Sequence, residues 1–139
     1  MTAKPAPVAD HLSEPFWRGC REDRLLIQAC DACATPRFPP GPLCHACGSD
    51  RSRWIEASGR GRVYSWIVVR HPIPAEIYAS EVPYVVALVE LDEGVRMPTN
   101  LVGCAPEALT ADMRVEVCFR DVGDVRLPQF RPVEREALA

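Results

Sequence analysis

Two cysteine pairs, Cys30-Asp31-Ala32-Cys33 and Cys44-His45-Ala46-Cys47, stand ten residues apart and restrict the fold more than any other feature of the chain. Each Cys-x-x-Cys turn presents two sulfurs on one side of a backbone knuckle. Two such knuckles facing each other enclose a single tetrahedral ion about 2.3 Å from each sulfur. Four thiolates leave a zinc ion no open position, so the predicted role of Cys30, Cys33, Cys44 and Cys47 is structural, with metal binding adding on the order of 10 kcal/mol to folding. Competing readings are iron in the same cage, His45 in place of one cysteine, or a redox-active pair. Nothing else in the sequence points to electron transfer, and two neighbouring pairs are best accounted for by one shared metal.

Seven cysteines, an odd number with four in close pairs, suit a reducing compartment better than a disulfide framework. Cys20, Cys104 and Cys118 are then expected to be small buried hydrophobes. No run approaches the ~18–20 apolar residues of a membrane helix, and Met1–Asp10 lacks the apolar core of a secretion signal, so the expected location is cytoplasmic with no membrane partner. Net charge is -3, and the basic residues, all arginine except Lys4, are scattered. That pattern weighs against nucleic acid, whose phosphates require a concentrated basic surface.

Fourteen prolines favour short strands and loops over long helices. Residues 1–13 read as a flexible tail. Ser13, Glu14 and Pro15 mark a helix start, with the helix running from about Glu14 to Arg21 and carrying Phe16 and Trp17. Leu25 to Ile27 is a brief strand leading to the cysteine knuckles, and the helix and ribbon together occupy 14–57. The Ser58-Gly-Arg-Gly-Arg62 turn opens a second module over 58–133, and 134–139 is a C-terminal tail. From Arg62 the pattern alternates, with Val63, Ser65, Ile67 and Val69 on one face and Tyr64, Trp66 and Val68 on the other, both faces reading as largely covered. A long loop over 71–83 follows. Strands are then expected at Tyr84–Leu91, Val95–Leu101 (with Pro98 at an edge or bulge), Arg114–Arg120 and Val125–Phe130, and a short helical turn at Ala105–Leu109. Five strands with a helical turn between the third and fourth specify a partly open Greek-key barrel, the OB-fold.

Several stretches in this order, Gly59-Arg-Gly-Arg-Val-Tyr-Ser65, Pro83-Tyr-Val-Val-Ala-Leu-Val-Glu-Leu91, Glu93-Gly-Val-Arg96 and Leu127-Pro-Gln-Phe-Arg-Pro132, together with the ribbon and Trp54, resemble a known family over about residues 14–133. The chain is similar to the acyl-CoA-associated OB-fold proteins with a rubredoxin-like zinc ribbon, known as domain-of-unknown-function family 35. The resemblance implies a mainly β protein with a short N-terminal helix, the ribbon and a five-stranded barrel. It also implies an accessory subunit, non-catalytic by itself, of a thiolase-like or lipid-transfer-protein-like enzyme. Such an enzyme would be an acyltransferase or a retro-aldol lyase cleaving steroid side-chain CoA thioesters, and the accessory subunit would stabilise it and shape its acyl-CoA channel. Two positions depart from the family pattern, Ala34 and Asp112, where glycine is usual, and Ala34 would be strained if its φ were positive.

If a CoA thioester is bound, Arg37, Arg60, Arg62 and Arg70 are the candidate partners of its phosphates. His71, at the end of an aromatic strand, is the one histidine retained as a catalytic or channel candidate. Phe16, Trp17, Tyr64, Trp66, Ile73, Ile77 and Tyr78 are the candidate partner interface. The alternative function is a single-stranded nucleic-acid module in which Tyr64 and Trp66 stack bases beside Arg62 and Arg70. An independent CoA thioesterase or hydratase ranks last, because no nucleophile or carboxylate pair stands in a recognisable motif.

Overall fold

Two sheets, antiparallel except for one parallel strand pairing in the second, account for most of the chain in the computed structural model, which describes residues 4–133. Residues 1–3 of the expected N-terminal tail and all of the expected tail over 134–139 lie outside the described residues. The helix α1 spans Glu14–Arg21, as its proline in the first turn and its basic last turn suggest. Ser13 occupies the position before it but makes no side-chain cap to the helix. Its hydroxyl instead accepts from the Asp10 amide at 3.1 Å, while the Asp10 carboxylate accepts from the Ser13 amide at 2.7 Å.

The first sheet is the ribbon, in which β1 (Leu26–Cys30) lies between β2 (Pro36–Arg37) and β3 (Ser52–Glu56). The second is a closed barrel of β4 (Arg60–Val69), β5 (Tyr84–Leu91), β6 (Arg96–Leu101), β7 (Arg114–Val122) and β8 (Val125–Pro132), in the order β4-β5-β6-β8-β7. A short helix, α2 (Ala75–Tyr78), interrupts the expected loop, and a 3-10 turn at Pro106–Ala108 stands between β6 and β7. This is the predicted OB-fold.

One core serves both sheets. Val85, Ala87, Val89 and Leu91 alternate inward along β5 at 3% exposure or less, joining Met97, Val115 and Phe130 from the other strands. Phe16 and Cys20 of α1 and Ile27 of β1 pack into the same cluster. Through α1, which packs on both β1 and β8, the ribbon is tied to the barrel, the large side chains Phe16 and Ile27 each contributing about 1.5–3 kcal/mol of burial. Gly61 permits the closest approach of β4 to β5, since a Cβ there would lie 2.4 Å from the Glu90 carbonyl oxygen.

The face assignment of β4 requires correction. Val63 pairs with Val89, but Ser65 pairs with Leu88, leaving Tyr64 as an inserted bulge residue. The extra residue reverses the phase of the strand: Val63 is buried, yet Trp66 and Val68 pack on the core while Ile67 is 63% exposed. One face of this strand therefore carries exposed Tyr64, Ser65 and Ile67, where the alternation had both faces covered.

β6 pairs with β5 over its whole length but meets β8 at one ladder position, Leu101 with Phe130. Pro98 on β6 and Pro128 on β8 lack amide protons, so neither can donate to a ladder across this seam, in keeping with the edge position read for Pro98.

Candidate metal centre and neighbouring surfaces

The two knuckles are built by the same local bonds. Cys30 accepts at its carbonyl from the Ala34 amide, and Cys44 from the Gly48 amide, both at 2.9 Å. Within each turn the sulfur also accepts a backbone amide, Ala32 to Cys30 Sγ at 3.3 Å and Ala46 to Cys44 Sγ at 3.4 Å. Ala34 and Gly48 occupy equivalent positions and both have positive φ, 66° and 80°. The family glycine missing at Ala34 is thus missing where the backbone needs it, and Asp112, the other departure, has φ 65°.

All four sulfurs lie within 4.8 Å of one another, with Cys30–Cys47 and Cys33–Cys44 each separated by 3.6 Å. A tetrahedron with metal–sulfur bonds of about 2.3 Å has sulfur–sulfur edges near ~3.8 Å, whereas a disulfide bond is about 2.05 Å. The geometry is therefore that of a metal cage, and the donor set is the closed four-thiolate set of structural zinc. Hydrogen bonds from the Thr35 hydroxyl and backbone hold the Cys33 pKa down to about 6. Cys47 receives a backbone hydrogen bond from Ser49 that lowers its pKa, yet the crowding sulfurs of Cys30 and Cys33 push it up to about 11. Four thiols this close cannot all ionise without a cation, and a dication supplies the missing charge. Cys30 and Cys44 are buried, while Cys33 and Cys47 face outward. His45 is exposed and outside the ligand cluster. Of the remaining cysteines, Cys20 is buried with its thiol pushed up to about 12 by burial, and Cys104 and Cys118 are half-buried.

The four candidate arginines do not converge. Arg37 is buried in the ribbon at 6% exposure, donating to the Gly41 carbonyl at 2.8 Å, with Nε and Nη1 unpartnered among the described residues. It lines a cleft of about 480 Å³ that His45 and Arg96 also border. Arg62 is held by Glu90 at 2.7 Å and Asp112 at 2.8 Å, and Arg62 and Arg96 together keep the Glu90 carboxyl below its ordinary range. Arg60 is exposed at the start of β4. Arg70 lies just past the other end of that strand, eight residues or about 26 Å beyond Arg62, 3.7 Å from Glu107. His71 follows it, exposed, on the turn before α2.

The aromatic and aliphatic candidates divide by burial. Phe16 is 4% exposed and lies in the core, its ring edge-on to that of Trp17. Trp17 and Trp66 are half-buried against the same core. Tyr64 is 46% exposed with the Arg96 guanidinium 3.8 Å above its ring, and Ile73 is 81% exposed. Ile77 and Tyr78 are half-buried, Tyr78 tilted against Tyr84 at 5.9 Å. Two exposed apolar residues outside the candidate set are Ile67, placed outward by the bulge, and Leu43, 58% exposed between the cysteine pairs. No local signal announces the bulge, whereas the proline-rich segment around Leu43 marks a loop in the sequence itself.

Comparison with known proteins agrees with this architecture. A family model described as the ChsH2 rubredoxin-like zinc ribbon domain matches residues 17–52, and one described as the ChsH2 C-terminal OB-fold domain matches residues 54–120. A DUF35 domain-containing scaffold protein of Methanocaldococcus jannaschii is 37% identical over 136 residues, covering 91% of this chain and 95% of the relative. The probable enoyl-CoA hydratase alpha subunit of Thermomonospora curvata is 45% identical over 130 residues, 93% of this chain but 40% of that protein, so the chain spans about two fifths of this relative. A solved chain of an Ltp2-ChsH2(DUF35) aldolase superposes with a TM-score of 0.82 at 44% identity, covering 91% of this chain and 98% of that one. With both domains matched in chain order and a scaffold relative covered almost end to end, the chain belongs to the DUF35 family, a ChsH2-type zinc ribbon joined to an OB-fold.

Proposed function

We propose that this chain is a non-catalytic accessory subunit of an acyl-CoA enzyme complex whose partner is thiolase-like or lipid-transfer-protein-like. Its role is to stabilise the partner and shape the acyl-CoA channel. The observation that carries this reading is the superposition on a whole chain of an aldolase named as a pairing of ChsH2 with a second component. The relative named as an enoyl-CoA hydratase subunit supports a CoA thioester as the substrate. The closed zinc site is in keeping with a scaffold, because four sulfur ligands leave the metal nothing to offer a substrate. Retro-aldol cleavage of a steroid side-chain thioester is the preferred reaction, with acyl transfer as the neighbouring one.

The nucleic-acid alternative is weaker. Trp66 is packed on the core and Tyr64 is covered by Arg96, so the two do not offer a clear pair of stacking faces. Reconstitution tests the proposal: CoA-thioester turnover by the chain alone, by the partner alone and by both together. Activity that requires both, or rises at least tenfold with both, is the expected result. Full turnover by this chain alone would overturn it.

A further inference from the structure

One buried cation of the ribbon has no counter-ion among the described residues. Arg37 on β2 is 6% exposed, and its one side-chain hydrogen bond runs from Nη2 to a neutral acceptor, the Gly41 carbonyl, at 2.8 Å. Nε and Nη1 are covered from solvent and have no partner among those residues. A guanidinium does not lose its proton in proteins, so Arg37 cannot escape the cost of burial by becoming neutral. Buried charges of this kind are retained where something pairs with them.

The surroundings point to the chemistry of the missing partner. The cleft of about 480 Å³ that Arg37 lines opens between the ribbon segment 36–45 and the turn from β5 into β6 at Gly94–Arg96, and no acidic side chain lines it. Arg96, the other arginine of the cleft, is already balanced: it shares Glu90 with Arg62, which also meets Asp112, so two cations face two carboxylates. Glu93, on the turn itself, accepts at Oε2 from the Ser58 amide at 2.8 Å and does not line the cleft. One positive charge is left over, which a carboxylate matches and a phosphate dianion exceeds. At the rim Leu43 stands 58% exposed, immediately before the ligand Cys44. A desolvated arginine is the kind of side chain on which protein contacts concentrate their energy, and Leu43 offers apolar surface beside it.

We infer that this cleft receives an aspartate or glutamate side chain of the partner subunit, which pairs with Arg37 through Nη1 and Nη2. The assignment rests on the accessory-subunit reading proposed above. A carboxylate bonds a guanidinium about twice as strongly as a neutral carbonyl does, so it displaces Gly41 from Nη2. The loop over 39–43 then swings outward on the bond from the Gly41 amide to Gln28 Oε1, 2.8 Å long. Gly41 is loosely surrounded, since a Cβ there would meet nothing within 4 Å. A free carboxylate meets a single unbalanced cation here and is weakly held, whereas one carried on a docked subunit arrives at high effective concentration.

The test measures assembly of the zinc-loaded full chain with its thiolase-like or lipid-transfer-protein-like partner by calorimetry, beside thermal unfolding of the chain alone. Arg37→Met removes the charge and keeps an unbranched side chain. It is expected to weaken the complex at least tenfold while leaving the Tm of the chain unchanged or higher, because the charge it removes is unpaired. Leu43→Asp supplies a competing carboxylate at the rim and Leu43→Asn its uncharged counterpart, and the Asp variant is expected to bind at least tenfold more weakly than the Asn variant. Wild-type affinity in Arg37→Met, a Tm that falls in step with affinity, or equal binding by the two Leu43 variants would each overturn the site, the second by making Arg37 a pin for the loop. If Arg37→Met failed to fold, the Leu43 pair would decide. A complex that forms with wild type and ignores all three substitutions defeats the cleft alone, whereas a wild-type chain that binds no such subunit defeats the accessory-subunit reading and the occupant with it.

Discussion

Replacing Ala34 by glycine is predicted to stabilise the protein, and the structure supplies both the magnitude and its control. Ala34 has φ 66° and Gly48 has φ 80° at matching places in the two knuckles. An L-residue in this left-handed region costs about 1–2 kcal/mol, and glycine avoids that penalty while losing about 0.5–1 kcal/mol of extra unfolded-state entropy. The net gain for Ala34→Gly is about 0.5–1 kcal/mol, or about 2–4 °C in Tm for a chain of this size. Ala34 is exposed, so little packing is lost with its methyl group. The converse change, Gly48→Ala, places its Cβ in open space with nothing within 4 Å, and so isolates the same backbone penalty with the opposite sign. Thermal unfolding followed by circular dichroism in excess zinc measures both. A neutral or destabilising Ala34→Gly together with a neutral Gly48→Ala would refute the argument that backbone strain limits the first knuckle.

Three further outcomes follow from the same structure. Cys44→Ser removes a buried ligand, so metal analysis should fall from one zinc per chain toward none and the ribbon should unfold at lower temperature; retention of metal and stability would contradict the four-thiolate cage. The site should take up zinc with proton release. Cys47, raised to about 11, is protonated at neutral pH and must lose its proton on binding, while Cys33, at about 6, is largely ionised already. Zinc affinity should therefore fall as pH drops, most steeply once Cys33 also protonates below about pH 6, and calorimetry in buffers of different ionisation enthalpy should count at least one proton per zinc at pH 7. The bulge at Tyr64 makes Ile67→Ala nearly neutral, within about 0.5 kcal/mol, and Val63→Ala costly at about 2 kcal/mol; equal losses in urea unfolding would reverse the assigned faces.

The metal site was legible because its ligands come from two short local turns, each of which the chain writes as Cys-x-x-Cys. α1 was legible for the same reason, its first-turn proline and basic last turn acting locally, although Ser13, read as its cap, bonds Asp10 instead. Strand β5 follows its alternation because it has one face on the core. What failed to show was long-range. β3 reads as a polar stretch, Ser52-Arg-Trp-Ile-Glu56, and becomes a strand only because β1, more than twenty residues earlier, offers it an edge. The face of β4 turns on one inserted residue whose neighbours look regular, so both faces read as largely covered when Tyr64, Ser65 and Ile67 are exposed and the core takes Trp66. The four arginines seemed to belong together because each ends a strand or sits in a loop, but ends of strands point to opposite poles of a barrel, and Arg62 is already committed to Glu90 and Asp112.

The measurement that bears most directly on the accessory-subunit account is affinity capture of this chain from its native cell under gentle conditions, with the co-purifying proteins identified and quantified by mass spectrometry. The account predicts a thiolase-like or lipid-transfer-protein-like enzyme subunit in stoichiometric amount. A chain recovered alone, intact and zinc-loaded, would contradict it.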